Sequence, residues 1–475
     1  MQETALELIS FVNDFLWTKI LIGLLIACGL YFTIGSKFVQ FGMFKEMFAV
    51  LKGSGQKSKD GISSFQAFSI SMAARVGTGN ITGIAIAIAL GGPGAIFWMW
   101  LIAVIGSASS FIENTLAQVY KIKDENGGFR GGPAYYMEKG LKKRWMGAVF
   151  AVLITLSFGL VFNSVQSNTI TVAFESSFGT NRFILGLIMT IVFAGIIFGG
   201  VKRIAKASEY IVVVLAVAYI GVALFISLIN ITELPGVIAL IVKSAFGFEQ
   251  AAGGAFGAMI LQGVRRGLFS NEAGMGSSPN AAASAETSHP VKQGLMQALG
   301  VLIDTLIVCS STAFIILLSD AYKGTGLGGI ELTQAALSEH IGLWGSGFLA
   351  LMIFLFAFST LIGNYYYGET NIEFLKSGKT VLTGYRISVL LMVLFGSVAK
   401  VQLVWSIADI FMGLMVIVNL IAILLLSKVA FAALADYKRQ KRAGKDPVFY
   451  RDSIKGLEGV ECWEREPAGE KAGNI

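Results

Sequence analysis

Charged side chains are scarce in this chain of 475 residues, because Asp, Glu, Lys and Arg together make up only 14% of it. A typical soluble domain carries about a quarter of charged residues. Hydrophobic residues make up 55% of the chain instead. This balance excludes an ordinary soluble domain and predicts a membrane protein with several spans.

Cysteine and histidine are also scarce, which limits the chemistry that the chain can perform. Three cysteines, Cys28, Cys309 and Cys462, cannot form a disulfide framework. Two histidines, His289 and His340, have no metal-ligand spacing around them. The sequence contains no nucleophile–base pair, metal cluster or phosphate-binding loop. We therefore expect neither an enzyme nor a bound cofactor.

The apolar stretches are long enough to cross a membrane, since a transmembrane helix needs about 20 mostly apolar residues. They predict an all-α polytopic membrane protein with eleven transmembrane helices. The seventh span is the weakest by hydropathy, because it contains Arg265, Arg266 and Glu272. The predicted spans are 15–35, 64–90, 93–118, 147–173, 182–200, 208–230, 253–276, 291–319, 343–363, 384–399 and 402–428.

The basic residues behind the net charge of +7 lie between these spans, so they indicate topology rather than nucleic-acid binding. They concentrate after the first, third, fifth and ninth spans and in the C-terminal tail, whereas the intervening loops are poor in them. By the positive-inside rule, the N-terminus lies outside and the tail lies in the cytoplasm. We expect a multi-pass protein of the cell membrane, with the lipid bilayer as its surroundings.

Two apolar segments carry the same interruption, with the pattern R-x4-N-x2-G. Arg75, Asn80 and Gly83 form the first copy, and the second lies 191 residues further on. Glycine and short polar residues unwind helices, and unwound backbone at membrane depth persists only where protein or a polar cavity surrounds it. Paired interruptions in corresponding halves of a chain indicate the binding site of a secondary transporter.

The two interrupted spans are the first of each group of five when the first span is set aside. An odd offset of five spans gives the two groups opposite orientations, which predicts an inverted repeat. The predicted parts are an extra N-terminal helix with a cytoplasmic linker at 1–60, the first repeat at 61–232, the second at 233–430 and a cytoplasmic tail at 431–475.

Several motifs resemble those of the alanine or glycine:cation symporter family, also called the sodium:alanine symporters. The similar stretches begin at Arg75, Gly91, Gly131, Arg266 and His289, and read RVGTGN, GGPGAIFWMWLIAVIG, GGPAYY, RGLFSNEAGMG and HP. The resemblance covers about residues 10–440. It implies the five-plus-five inverted-repeat fold of the amino acid–polyamine–organocation transporters. It also implies uptake of alanine or glycine with sodium or protons.

The first break is the expected site of the substrate carboxylate, which seeks backbone N–H donors at a half-helix N-terminus. Such donors are available at Gly77, Thr78, Gly79 and Asn80, where glycine lets the backbone come close. Tight helix packing by small residues is the alternative role.

The second break is expected to lie across the cavity, with Phe269, Ser270, Asn271 and Glu272. Freed carbonyls there can accept the substrate ammonium group, and Phe269 can cap a small side-chain pocket. Glu272 is either part of the site or ion-paired with one of the arginines at 75, 265 and 266.

The fourth span carries an unusually polar patch. The related fold implies that this helix borders the substrate, so Phe162 and Gln166 are candidate contacts. Structural hydrogen bonds between helices are the alternative. Two further acids within spans, Glu113 and Asp304, are candidates for structural pairing or, for Asp304, a proton relay.

The sodium site is expected from the fold at the first break and the ninth span. A hard cation such as sodium prefers oxygen ligands. Ser359 and Thr360 offer adjacent hydroxyls, and Val76 and Gly79 offer carbonyls. Serine and threonine in membrane helices also often bond back to their own helix.

Together with these residues, the family resemblance implies a secondary active symporter that takes up alanine and/or glycine with sodium by alternating access. Proton coupling and a broader range of small neutral amino acids are alternatives within the transporter class. A channel is a more distant alternative, because a pore would need repeated polar rings or a filter loop, and the breaks are single and asymmetric.

Overall fold

The structure is a computed structural model that describes residues 2–55, 62–124, 127–199, 217–247, 255–376 and 378–464. Helices dominate it, because a chain in lipid must satisfy its backbone N–H and C=O groups internally. Within the described ranges, strand structure is limited to an antiparallel pair, Ile122–Lys123 with Phe129–Arg130. The predicted all-α polytopic fold is confirmed.

The main helices follow one another along the whole chain. Shorter helices lie at Val39–Gly42, Phe44–Lys52, Pro133–Lys139 and Gly329–Ile341. In chain order the main helices are α1 Leu8–Gly35, α2 Ser64–Arg75, α3 Gly79–Gly91, α4 Ala95–Val119, α5 Arg144–Phe178, α6 Arg182–Ile197, α7 Val217–Ile229, α8 Leu234–Phe246, α9 Ala255–Asn271, α10 Ser278–Ala283, α11 Pro290–Leu317, α12 Trp344–Leu375, α13 Lys379–Val398 and α14 Val401–Arg442.

Seven of the described helices are long and apolar enough to span a membrane, and the number rises to nine when each bent pair counts as one span. The bent pairs are α2 with α3, at 47°, and α7 with α8, at 102°. The shorter α6 is also apolar, whereas α9 is interrupted by two arginines. Eleven spans therefore stay a prediction. Residues 200–216 and 248–254 lie outside the described residues, and so does the boundary at 60–61. These residues include the end of the fifth predicted span and the starts of the sixth and seventh.

Helices α4 and α11 form the centre of the bundle, and small residues let them approach closely. A Cβ atom on Gly294 would lie only 2.9 Å from the carbonyl oxygen of Phe111. Ser107 Oγ donates to the carbonyl oxygen of Ala298 at 3.1 Å. Helices α2 and α9, which carry the two R-x4-N-x2-G interruptions, both pack on this pair. Ser71 in α2 donates to Gln297 Oε1 at 2.7 Å, and α9 contacts α4 through glycines.

The C-terminal tail, residues 443–464, folds back onto one end of the bundle. The backbone N–H of Phe449 donates to the Ser288 carbonyl at 2.9 Å, and Trp463 Nε1 donates to the Gln118 carbonyl at 2.9 Å. The rings of Phe449 and Trp463 contact each other at a centroid distance of 5.4 Å, and both are buried. The tail therefore joins the end of α4 to the segment that precedes α11.

Candidate functional site

The first break opens where α2 ends at Arg75. Val76 adopts an extended backbone conformation, and α3 then begins with a π-helical turn, Gly79–Gly83. The freed N–H of Gly77 donates to Asn80 Oδ1 at 2.9 Å, and that of Thr78 donates to Gln166 Oε1 at 3.2 Å. The predicted carboxylate donors are therefore present, and neutral amide oxygens of the protein accept from two of them.

The second break opens where α9 ends at Asn271. Glu272, Gly274 and Gly276 all have positive φ angles, of 57°, 79° and 83°. A glutamate in this region is uncommon, because its Cβ crowds the backbone there. Contacts that hold the strained segment must therefore come from elsewhere in the fold.

Glu113 and Asn419 supply those contacts. The two carboxylate oxygens of Glu113, in α4, accept from the N–H groups of Gly274 and Gly276, both at 3.1 Å. Asn419 Nδ2, in α14, donates to Glu113 Oε2 at 2.7 Å and to the carbonyl oxygen of Gly274 at 2.9 Å. A structural pairing was one of the roles predicted for Glu113 from the sequence, whereas Asn419 was not predicted.

The two breaks touch each other at Gly79. A Cβ atom there would lie 3.1 Å from both Phe269 Cδ1 and Ser270 Cα, so only glycine fits without a shift. Asn80 Nδ2 donates to Ser270 Oγ at 2.9 Å across the same contact. The residues predicted from the two distant motifs therefore meet in one buried region.

Asp304, in α11, closes this contact from a third side. Its Oδ1 accepts from Asn80 Nδ2 at 2.6 Å, and its Oδ2 accepts from Ser270 Oγ at 2.6 Å. The neighbouring Thr305 Oγ1 accepts from Asn271 Nδ2 at 3.1 Å. Asp304 thus belongs to the candidate site, whereas the sequence alone left it among the residues for structural pairing or proton transfer.

Aromatic rings line the region on one side. The ring of Phe269 lies between Phe162, at a centroid distance of 4.9 Å, and Trp405, at 4.7 Å. Phe162 and Phe269 were predicted here from the sequence, and Trp405 in α14 was not. A ring in this place can limit the size of a bound side chain.

The ion pair of Glu272 with Arg265 or Arg266, one of the two roles that the sequence left open for Glu272, is not formed. Both arginines lie against Asp409 of α14, Arg265 Nη1 at 3.4 Å from its carboxylate and Arg266 in closer contact. Glu272 instead accepts from Ser277 Oγ. The arginines lie on the face of α9 that meets α14, so the carboxylate of α14 reaches them.

Arg75 is buried at the end of α2. Its Nη1 donates to the carbonyl oxygen of Gln297 at 3.3 Å. Among the described residues, no carboxylate lies within ion-pair distance of it, and its Nε and Nη2 have no hydrogen-bond partner. Arg75 therefore acts on Glu113, Glu272 and Asp304 only through longer-range attraction.

The expected sodium ligands are only partly brought together. Thr360 Oγ1 lies 2.8 Å from the Ala73 carbonyl oxygen and 3.3 Å from that of Val76. A Cβ atom on Gly77 would overlap the same hydroxyl. Ser359 Oγ donates back to Phe356 of its own helix at 2.7 Å. Thr360 and Val76 therefore form an oxygen cluster with Ala73, a residue that was not predicted. Thr360 Oγ1 also lies 3.1 Å from the Phe356 carbonyl oxygen of its own helix, which is the alternative arrangement that Ser359 shows.

One further polar side chain follows Thr360 on the same helix. Asn364 lies one helical turn beyond Thr360 in α12 and is fully buried. Neither its Oδ1 nor its Nδ2 has a hydrogen-bond partner in the described part of the chain. An unpartnered buried amide costs free energy, so its presence beside the oxygen cluster marks a polar interior.

Comparisons with known proteins identify the family of this chain. The model of the sodium:alanine symporter family matches residues 2–451. A probable sodium/glutamine symporter of Bacillus subtilis strain 168 is 71% identical over 464 residues, which cover 98% of this chain and 97% of that protein.

Two further relatives are also transporters. An amino-acid carrier protein of the same organism is 56% identical, over 97% of this chain and 98% of its own length. The sodium/alanine symporter of Methanococcus maripaludis is 40% identical, over 89% and 95% of the two chains. The protein is a membrane transporter and not an enzyme, and it belongs to the sodium:alanine symporter family.

Proposed function

We propose that this protein is a secondary active symporter that imports a neutral amino acid, alanine and/or glycine, together with sodium. Alternating access between the two sides of the membrane carries the substrate across. The observation that supports the proposal most strongly is the meeting of two interrupted helices at Gly79 and Ser270. Interrupted helices provide polar backbone groups at membrane depth, which is where transporters bind substrate and ion.

The substrate lies between the two breaks in this proposal. Its carboxylate takes the N–H groups of the segment from Gly77 to Asn80 in exchange for the amide oxygens that accept from them now. Its ammonium group faces the segment from Ser270 to Glu272. Phe162, Gln166 and Phe269 border its side chain.

Sodium is carried as a second substrate. Thr360 and the carbonyl of Val76 are its proposed ligands, with Gly79 and Ser359 completing the set after a change in the Ser359 rotamer. Hydroxyl and carbonyl oxygens are the ligands that a hard cation prefers. Ordering of the first break by sodium raises the affinity for the carboxylate, and linkage requires the amino acid to raise the sodium affinity by the same factor.

Glutamine is a second candidate substrate. The relative that is 71% identical is described as a probable sodium/glutamine symporter, and its sequence matches almost the whole of this chain. A carboxamide side chain needs hydrogen-bonding partners in the pocket. The buried amide of Asn364, which has no partner among the described residues, is available for that purpose.

The N-terminus lies outside the cell membrane and the tail inside, with the two groups of five spans as antiparallel repeats. The basic loops and the paired breaks support this topology. Single cysteines at Lys37 and Leu343, in a background without native cysteines, give a direct test. An impermeant thiol reagent added to intact cells is expected to label position 343 or neither position. Labelling of position 37 alone would contradict the proposed topology.

Counterflow and gradient-driven uptake in proteoliposomes test the function itself. Purified protein is expected to accumulate labelled alanine, glycine or glutamine under an inward sodium gradient, and not when choline replaces sodium. Unlabelled competitors rank the three amino acids. Accumulation that follows an imposed proton gradient and ignores sodium would overturn the sodium assignment. Downhill flux without any coupled accumulation would favour a channel.

A further inference from the structure

Asp304 is the acid that links both breaks, and it is completely buried. It lies in a π-helical part of α11, Ile303–Cys309. Such π-helical turns are rare and frequently occur at functional sites. Helix α3, which follows the first break, also begins with a π-helical turn, and the two turns face each other through Asn80 and Asp304.

The charge of Asp304 is balanced by neutral donors rather than by an ion pair. In the ranges that the structure describes, no nitrogen of a lysine, arginine or histidine lies within 4.0 Å of its carboxylate. Arg75 attracts it from further away. An ionisable group at membrane depth is costly and marks a functional element by default. The role of Asp304 is therefore inferred from the groups that its carboxylate contacts.

Those contacts fix the orientation of the Asn80 amide. A carboxylate can only accept hydrogen bonds, so the Nδ2 side of Asn80 has to face Asp304, at 2.6 Å. The Oδ1 side then faces the N–H of Gly77, at 2.9 Å. A flipped amide would place oxygen against carboxylate and remove the acceptor from Gly77.

The same helix also holds the backbone of Asn80. Thr312 Oγ1, two turns after Asp304, donates to the carbonyl oxygen of Asn80 at 2.7 Å. On the other break, the second carboxylate oxygen of Asp304 holds the hydroxyl of Ser270 at 2.6 Å. One helix therefore positions both broken segments relative to each other.

We propose that Asp304 is a positioning residue for substrate binding. It acts through Asn80 and Ser270, and it holds the two breaks in the arrangement that binds the amino acid. This inference rests on the proposed function, since it assigns the affinity of that same site to one carboxylate.

Asp304→Asn tests the proposal with nearly the same volume. The new amide no longer dictates which way Asn80 faces, and a charge-assisted hydrogen bond is lost. We expect the KM for the amino acid to rise about 10-fold or more, with a smaller change in maximal rate. Ser311→Ala is the matched control on the same helix, because Ser311 donates only to Ile307 of its own helix. Its KM is expected to stay within about twofold of the wild type.

A reciprocal exchange separates positioning from a general effect on folding. In Asn80→Asp/Asp304→Asn, the new aspartate can still accept from Gly77 and the new asparagine can donate to it. Asn80→Asp alone places two carboxylates together and is expected to raise the KM further than Asp304→Asn does. We expect the double variant to have a lower KM than either single variant, which a merely structural role would not produce.

The outcomes are distinguishable. A wild-type protein without sodium-driven amino acid uptake overturns the proposed function. With an active wild type, the positioning role is overturned by an Asp304→Asn variant whose KM matches that of Ser311→Ala. It is also overturned if the rise in KM of the double variant equals or exceeds the product of the rises in the two single variants. Should Asp304→Asn fail to accumulate in the membrane, the comparison of Asn80→Asp with the double variant decides in the same way.

Discussion

Replacing Gly79 with alanine tests whether the transporter needs close contact between its two breaks. The added methyl group would lie 3.1 Å from Phe269 Cδ1 and from Ser270 Cα, and 3.4 Å from Ser270 Cβ. Two of these three atoms belong to a ring and to backbone, which cannot move aside as a flexible side chain could. The methyl group therefore separates the breaks rather than being absorbed.

Overpacking of a buried site by one such group costs about 1–3 kcal/mol. A difference of about 1.4 kcal/mol corresponds to a factor of ten in an equilibrium constant. In the proposed function the breaks stay in contact at Gly79 when the amino acid is bound, so the cost falls on the bound state. We therefore expect the apparent affinity for the amino acid to fall roughly 5- to 150-fold. Initial rates of uptake over a range of substrate concentrations, in proteoliposomes, measure this change.

Gly83→Ala is the matched control, because Gly83 lies in the same π-helical turn. A Cβ atom there meets nothing closer than Arg266 Cδ, at 3.9 Å. We expect its KM within about twofold of the wild type, since ordinary van der Waals contact is not strained. Equal KM values for the alanine variants at the two glycines would refute the argument that the breaks must touch.

Thr360→Ala should raise the sodium concentration for half-maximal uptake by about tenfold, and Thr360→Ser should change it little, because the hydroxyl remains; equal values would remove Thr360 from the sodium site. Burial lowers the pKa of Lys121 from 10.5 to about 7, because it disfavours the charged amine. The stability that the folded tail gains from burying neutral Lys121 is therefore complete only above the ordinary pKa of 10.5, and it is lost as the pH falls towards 7. Hydrogen exchange of residues 446–464, corrected for its intrinsic pH dependence, should therefore be faster at pH 6.5 than at pH 9, and Lys121→Met should abolish the difference. Asp409→Asn leaves two buried arginines without a carboxylate and should destabilise the protein by about 3–5 kcal/mol. Asp446→Asn is the control, because the exposed Asp446 carboxylate pairs with Lys292 at 2.8 Å, and its cost should be about 0–1 kcal/mol. Similar melting temperatures for the two asparagine variants would contradict this.

The breaks could be predicted from the sequence because their cause is local. Glycine and short polar residues in an apolar run disfavour a helix wherever they occur. The breaks around Gly77 and Gly274 can therefore be predicted from the sequence alone. Thr360 was predicted from the resemblance to a known fold, which places its helix beside the first break. The structure brings Thr360 to the Val76 carbonyl, as that resemblance implied.

The partners that hold the breaks could not be predicted in the same way. Glu113 lies 161 residues before Gly274, and Asn419 lies 306 residues after Glu113. Nothing in their neighbouring sequence specifies that distant contact. Asp409 was missed for a similar reason, because an isolated acid in an apolar run does not show which arginine it meets. Lys121 was counted among basic loop residues, but the folded tail buries it.

The hydrogen bonds at the first break bear on the return half of a transport cycle. A symporter has to come back empty, and at that moment its binding groups face no cargo. Here the N–H groups of Gly77 and Thr78 already have acceptors, the side-chain oxygens of Asn80 and Gln166. In the proposed function, these amides can accept the two backbone hydrogen bonds whenever no carboxylate is bound, so the return step leaves these two buried donors satisfied. A substrate that binds as proposed displaces the amides, which makes its binding weaker and its release on the far side easier.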